Sequence, residues 1–365
     1  MTRIKDIITH LESIAPLSYQ ESYDNSGLLV GSQNDPVNGI LITLDVTEDV
    51  VEEAINLKSN LIIAHHPIIF KGLKSITGKN YVERTVLKAI QNNIAIYAIH
   101  TNLDNIINGV NHKIASLIGL QNLEILLPKG DTLIKLVTYS PKKSADKVKQ
   151  GLFEAGAGNI GNYSECAFTS EGTGQFTPND KANPTIGSNN KAEKVDEVRI
   201  EVIVPKHDSR KVIQKLNAVH PYEEVAYYIL PISNANQEVG SGMIGELEEE
   251  ISTLDFLKQV KSIMKVGCVR HTKSIKDKIK KVAVCGGSGS FLLSQAKRQG
   301  ADVFITADFK YHEFFDAEDN IVIADIGHYE SEQFTKELIH ELLSEKFTTF
   351  ALNLSNTVTN PISYL

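Results

Sequence analysis

Short apolar runs that each stop at a polar residue recur at both ends of this 365-residue chain, and they constrain the fold more than any other feature. Residues 39–44, 61–64 and 93–99 read as buried strands, too short and too uniformly apolar for surface helices. Amphipathic stretches at 47–57 and 81–92 separate them, the first opening on Thr47 with Glu48 and Asp49 in its first turn, as a capped helix would. The pattern returns at 281–284, 302–306 and 320–324, with a helix to Gln299 between the first two runs and a closing helix to Ser344. Strand and helix alternating in this way predict a mostly parallel sheet with both faces covered. The expected fold class is therefore α/β. One discontinuous domain would be built from residues 1–126 and 237–365, with further helices at 4–14, 110–120 and 254–264.

The middle of the chain has another texture. Residues 133–139 form a strand that leads through Pro141 and Lys142 into a helix ending near Ala155. Residues 198–204 lead through Pro205 and Lys206 into a second helix ending near Ala218. Val148 and Leu152 fall on Val212 and Leu216 at the same offset as the two prolines. Two such βα units followed by further strands predict a smaller ferredoxin-like α+β module over 127–236. Residues 169–196 read as a long loop or ribbon, and 234–242 as a linker.

A formal net charge of -8 disfavours broad binding to nucleic acid or anionic lipid, without excluding a local basic patch. The densest such run, Lys273, Lys276, Lys278, Lys280 and Lys281, reads as a solvated face. Cys166, Cys268 and Cys285 are too few and too scattered for a disulfide framework or a Cys-x-x-Cys zinc site, so a reducing cytoplasm is the expected compartment. No secretory h-region and no apolar run of about 18 residues is present.

Chemistry concentrates just past the strand ends. Residues 61–64 run into His65-His66-Pro67. Neighbouring side chains on an extended strand face opposite ways, so two imidazoles share a pocket only where the chain leaves the sheet. Residues 93–99 run into His100-Thr101-Asn102-Leu103-Asp104, and 320–324 into a helix start carrying His328 and Glu332. Four residues apart on a helix, those two side chains share a face. If the strands are parallel neighbours, His65, His66, Asp104, His328 and Glu332 gather along one sheet edge, where α/β sheets place their ligands. Imidazole and carboxylate without thiolate suit zinc, iron, manganese or nickel. Five side chains exceed the needs of one open catalytic ion and fall short of two unless a carboxylate, water or substrate bridges. Two ions about 3.5–4 Å apart are the pattern of metal-assisted hydrolysis. His100 and His312 are candidate catalytic proton-transfer groups. Gly286-Gly287-Ser288-Gly289 reads as a close-packed turn before a phosphate cradle. Asp24-Asn25-Ser26-Gly27 reads as a structural turn.

Asp24-Asn25-Ser26-Gly27-Leu28, Ala64-His65-His66-Pro67, the run from His100 to Asp104 and Gly327-His328-Tyr329-Glu330-Ser331-Glu332 resemble the Nif-three-like family, whose members carry the name GTP cyclohydrolase I type 2 homologue. The run from Gly156 to Tyr163 and His220-Pro221-Tyr222-Glu223-Glu224 resemble the PII-like insert of its longer bacterial members. The resemblance implies a dinuclear metal site on the same five residues and a toroidal homo-hexamer. It also implies a hydrolase in which metal-activated water attacks a purine nucleotide such as GTP, with two divalent metal ions, zinc first, as cofactors. The chain departs from the pattern at Tyr23, where Trp is usual, at Ala307, where Gly is common, and at Met243, where Arg is common. Two alternatives stand beside the hydrolase of a small-molecule substrate. One is a metal-binding regulatory or scaffold hexamer with a PII-like sensor domain. The other is a metal-dependent phosphoesterase.

Overall fold

The computed structural model describes all residues, 1–365. The chain divides into two compact units, Met1–Leu127 with Glu238–Leu365, and Pro128–Gln237. No helix is long and apolar enough to cross a membrane.

The first unit holds two sheets where the strand rhythm suggested one. The five-stranded sheet runs in the order Gly27–Val30, Ala95–Ala98, Leu61–Ala64, Gly39–Thr43, Ala351–Leu354. All neighbours are parallel except the first pair. The six-stranded sheet runs Arg270–His271, Val322–Asp325, Val303–Ala307, Lys278–Ser288, Asn236–Ser252, Gln121–Lys129. Its parallel heart, Lys278–Ser288 to Val303–Ala307 to Val322–Asp325, is flanked by antiparallel pairings. The architecture is thus mixed α/β with several sheets, and the single, mostly parallel sheet is corrected. The reason is physical. An apolar run records that a strand is buried on both faces, and leaves open which other run lies beside it.

One core serves both sheets. Ile42, Ile63 and Tyr97 of the first pack in the same cluster as Val282, Ile305 and Ala324 of the second. Ile7 and Leu11 of the Ile4–Ile14 helix, Ile114 of Val110–Leu117 and Ile339 of Thr335–Ser344 complete it. Thr47 caps the Glu48–Asn56 helix by accepting from the Val50 N–H, as its position before two acids anticipates.

Residues 234–242 do carry the chain from one unit to the other, at Gln237/Glu238, but not as an irregular linker: from Asn236 they belong to the 17-residue strand Asn236–Ser252, whose Val239, Met243 and Ile244 are buried. Its small and polar residues mimic a linker because Gly240, Ser241 and Gly242 dilute the apolar pattern. Within 169–196, the strand Ala167–Phe176 pairs antiparallel with Glu193–Pro205, leaving only 177–192 irregular. Both strands are largely exposed there, so no apolar alternation marked them.

The second unit has the chain order βαββαβ: Leu133–Pro141, Ala145–Glu154, Ala167–Phe176, Glu193–Pro205, Ser209–Val219, Tyr227–Pro231. Its four strands form one antiparallel sheet. Val148 and Leu152 of one helix and Val212 and Leu216 of the other are all buried against Leu136, Ile200 and Val202. The repeated positions are repeated because each helix lays the same face on the sheet.

Candidate metal centre

Two sheets deliver their strand ends to one cavity of about 470 Å³ in the first unit. His65 and His66 leave the carboxyl end of Leu61–Ala64, and Asp104 ends the short helix that follows Ala95–Ala98. His328 and Glu332 open and close the short helix after Val322–Asp325, in the other sheet. His66 Nε2 lies 2.9 Å from Glu332 Oε2, and His328 Nε2 lies 3.1 Å from the same oxygen. On the other side, His65 Nε2 lies 3.5 Å from Asp104 Oδ1 and 3.8 Å from Glu332 Oε1. The five residues expected to gather do so, across two sheets. The five form two three-residue groups, His65 with Asp104 and His66 with His328, with Glu332 offering one oxygen to each, and His100 joins His65 and His66 in a third group able to hold a cation.

Each imidazole is held by its other nitrogen. His65 Nδ1 donates to the Ile99 carbonyl at 2.9 Å, which leaves Nε2 turned toward Asp104 and Glu332. His66 Nδ1 donates to Asp45 Oδ1 at 2.7 Å, His328 Nδ1 to Asp308 Oδ2 at 2.6 Å and His100 Nδ1 to Asp24 Oδ1 at 2.8 Å. Anchoring of the remote ring nitrogen by a carbonyl or carboxylate is how metal-binding histidines are oriented. The fit to a cation rests on the two atoms at its centre. His65 Nε2 and Asp104 Oδ1 are buried, face each other and have no hydrogen-bond partner. A buried polar atom without a partner is costly, and a cation between these two satisfies both.

In the metal-free protein, protons take over part of that compensation. Burial pulls His66 down, yet its bonds to Asp45 and Glu332 outweigh it and hold the imidazole at about 9. Burial likewise pulls His328 down, and its bonds to Asp308 and Glu332 outweigh that and raise it to about 11. Burial raises Asp104, and the charge of Glu332 adds to it. Glu332 is itself buried, yet bonds from the surrounding imidazoles keep it well below the usual carboxylate range. Cys285, also on the cavity wall, is pushed up by burial and by the charges of Asp104 and Glu332, so it stays a thiol.

The glycine loop is structural. The Gly287 N–H donates to Ser331 Oγ and the Gly286 N–H to Asn111 Oδ1, both at 2.9 Å, so neither is free for a phosphate. Gly287 sits at φ +60°, and a Cβ there would fall 2.5 Å from Glu332 Oε1. The Asp24 turn carries more than a bend. Asp24 has no exposed side-chain surface, and besides His100 it accepts from Ser26 Oγ, the Thr101 N–H and the Thr101 hydroxyl. Burial raises this carboxyl, and the bonds from His100 and Thr101 overcome that and hold it far below its ordinary range.

His100 lines the cavity, its ring 5.2 Å from that of His65 and 5.3 Å from that of His66. His312 does not reach it. It lies exposed on the Tyr311–Ala317 turn, its ring against Tyr311 and Phe315. Asp45 and Asp308 escape a reading of the sequence as functional residues, although Asp308 follows its parallel strand directly and Asp45 follows its own after Leu44, the same signal that marks His65. Asp24 precedes a strand, but that strand runs antiparallel to Ala95–Ala98, so its start shares the edge at which the parallel strands finish. Tyr23, Phe70 and Phe291, all largely exposed, form an aromatic rim.

Residues 2–361 match the family model described as Duf34/NIF3 (NGG1p interacting factor 3). The chain belongs to the Duf34/NIF3 family. It is 41% identical over 367 residues to the GTP cyclohydrolase 1 type 2 homolog of Bacillus subtilis (strain 168), covering 99% of this chain and 98% of that one. It is 39% identical to the Staphylococcus aureus (strain MSSA476) protein of the same name, over 100% of both. Among solved structures, the Bacillus cereus protein related to NIF3 is 41% identical, with a TM-score of 0.88 over 100% of this chain and 99% of that one. A Staphylococcus aureus protein is 33% identical, with a TM-score of 0.79 at the same coverage.

Proposed function

We propose that the chain is a hydrolase that holds two divalent cations on His65, His66, Asp104, His328 and Glu332. The observation that carries this reading is Glu332, whose two oxygens face two separate imidazole groups, beside the unpartnered pair His65 Nε2 and Asp104 Oδ1. Charge supports the number of ions. Asp24, Asp45, Asp104, Asp308 and Glu332 converge on the four imidazoles, and two divalent cations offset nearly all of that negative charge whereas one leaves most of it. Such a pair supplies Lewis acidity and a water acidified toward neutral pH. Zinc is the first candidate, with iron, manganese or nickel admitted by the same ligands.

The residues divide the remaining work. Glu332 would face both ions and Asp104 would hold the one beside His65, and Gly287 gives Glu332 the space it needs. His100, turned by Asp24, presents Nε2 for proton transfer at the reacting end. The aromatic rim suits a planar ring, and the name of the relatives points to GTP as the substrate. The βαββαβ order of Pro128–Gln237 supports a PII-like insert, and a homo-hexamer in the cytoplasm is the assembly proposed with it.

The test is zinc- or manganese-loaded protein given GTP. Formate release and an absorbance change absent from metal-free protein are the expected result; neither appearing refutes the ring-opening assignment. His65→Ala and Glu332→Ala separate this from a scaffold role: turnover lost with assembly intact marks an enzyme, and assembly lost with no turnover in any form marks a scaffold.

A further inference from the structure

The segment after the last strand runs along the edge that carries the cation ligands and is tied down residue by residue. Ser355 N–H donates to the Ile42 carbonyl at 2.8 Å. Glu53 then accepts from Ser355 Oγ at 2.6 Å, Asn356 N–H at 2.8 Å and Thr357 Oγ1 at 2.8 Å. Asn360 Nδ2 donates to Glu330 Oε1 at 3.1 Å, and Asn360, Pro361 and Ile362 form part of the cavity wall. Between these anchors, Thr359 Oγ1 donates to Asp45 Oδ2 at 2.6 Å, while the other oxygen of Asp45 holds His66 Nδ1.

We infer that Thr359 is a positioning residue for one of the two cations, acting through Asp45 on His66. The inference rests on the two-cation reading of the cavity. The three oriented imidazoles of the ligand set differ in how their holders are secured. His65 is held by a backbone carbonyl within the sheet edge, which cannot turn away. Asp45 is a side chain about one-third exposed, free to rotate about its own χ angles unless its second oxygen is occupied. Thr359 occupies it. With both oxygens engaged the carboxylate plane is fixed, and with it the ring of His66. Thr359 therefore bears on the His66–His328–Glu332 group and leaves the His65–Asp104–Glu332 group untouched.

The experiment is chelator competition on zinc-reloaded full-length protein, resolving two release steps, for wild type, T359V, T359S, D45N and T359V/D45N. T359V keeps the volume of threonine and removes the hydroxyl. It is expected to weaken one ion about tenfold, the low end for loss of a group that orients a ligand. T359S should restore that ion, and the double variant should release zinc as D45N does, because an amide at position 45 no longer holds His66 Nδ1 through a carboxylate for Thr359 to fix. A metal-free melting curve for T359V matching wild type confines the effect to the site. A T359V protein that holds both ions like wild type, weakens both equally, or adds its full effect to that of D45N overturns the inference and leaves the two-cation reading standing. A wild-type protein with no second release step overturns both.

Discussion

His66 and His328 stand at about 9 and 11 because each lies between two carboxylates. Both are protonated at pH 7.5 in the metal-free protein, and a ligand imidazole must be neutral, so cation binding expels protons. At least about two protons per chain should leave on zinc loading at pH 7.5, read by calorimetry in buffers of different ionisation enthalpy. Apparent affinity should rise with pH through about 9 and more shallowly on to about 11. Binding with no proton release would mean that these nitrogens are not the ligands. The sign for stability is the reverse. With folded values above the ordinary 6.5, these imidazolium–carboxylate pairs stabilise metal-free protein fully below that pH and lose the contribution as pH rises through about 9 and 11. His100 is a different case, bound by Asp24 and facing the cavity. His100→Ala should lower kcat by about 10²–10⁴-fold with both ions retained. Unchanged turnover by the ion-loaded variant would remove His100 from the chemistry.

At the scale of elements, the site depends on how short helices and turns end. Gly287→Ala places a methyl group on Glu332 Oε1 in a backbone region that side chains avoid. A loss of about 1–3 kcal/mol in urea denaturation, together with loss of both ions, is expected. Wild-type ion content in that variant would show that Glu332 does not need this floor. The same elements show how far the sequence reaches. The strands before His65, Asp104 and His328 were legible because a buried strand is a local pattern of apolar residues. Their distribution over two sheets was not, because partner choice between strands is a long-range property. The strand Asn236–Ser252 was hidden by its glycines and serine, and the Ala167–Phe176 ribbon by its exposure. Asp45 and Asp308 carried the right positional signal and went unread, whereas Thr359 carried none: its role exists only because a segment more than 300 residues away in sequence returns to the same edge.

At the scale of the molecule, the cavity belongs wholly to Met1–Leu127 and Glu238–Leu365, while Pro128–Gln237 keeps a core of its own. Leu152→Ala should cost about 2–5 kcal/mol of stability in that second core. It should leave ion content unchanged, since no residue of Pro128–Gln237 lines the cavity. Loss of ions with the core substitution would tie the two units together energetically. The central claim is that Glu332 bridges two cations, and anomalous scattering from a zinc-soaked crystal tests it most directly. Two peaks about 3.5–4 Å apart are predicted, one against His65 and Asp104, the other against His66 and His328, with Glu332 between them. A single peak, or zinc bound away from these five side chains, would contradict it.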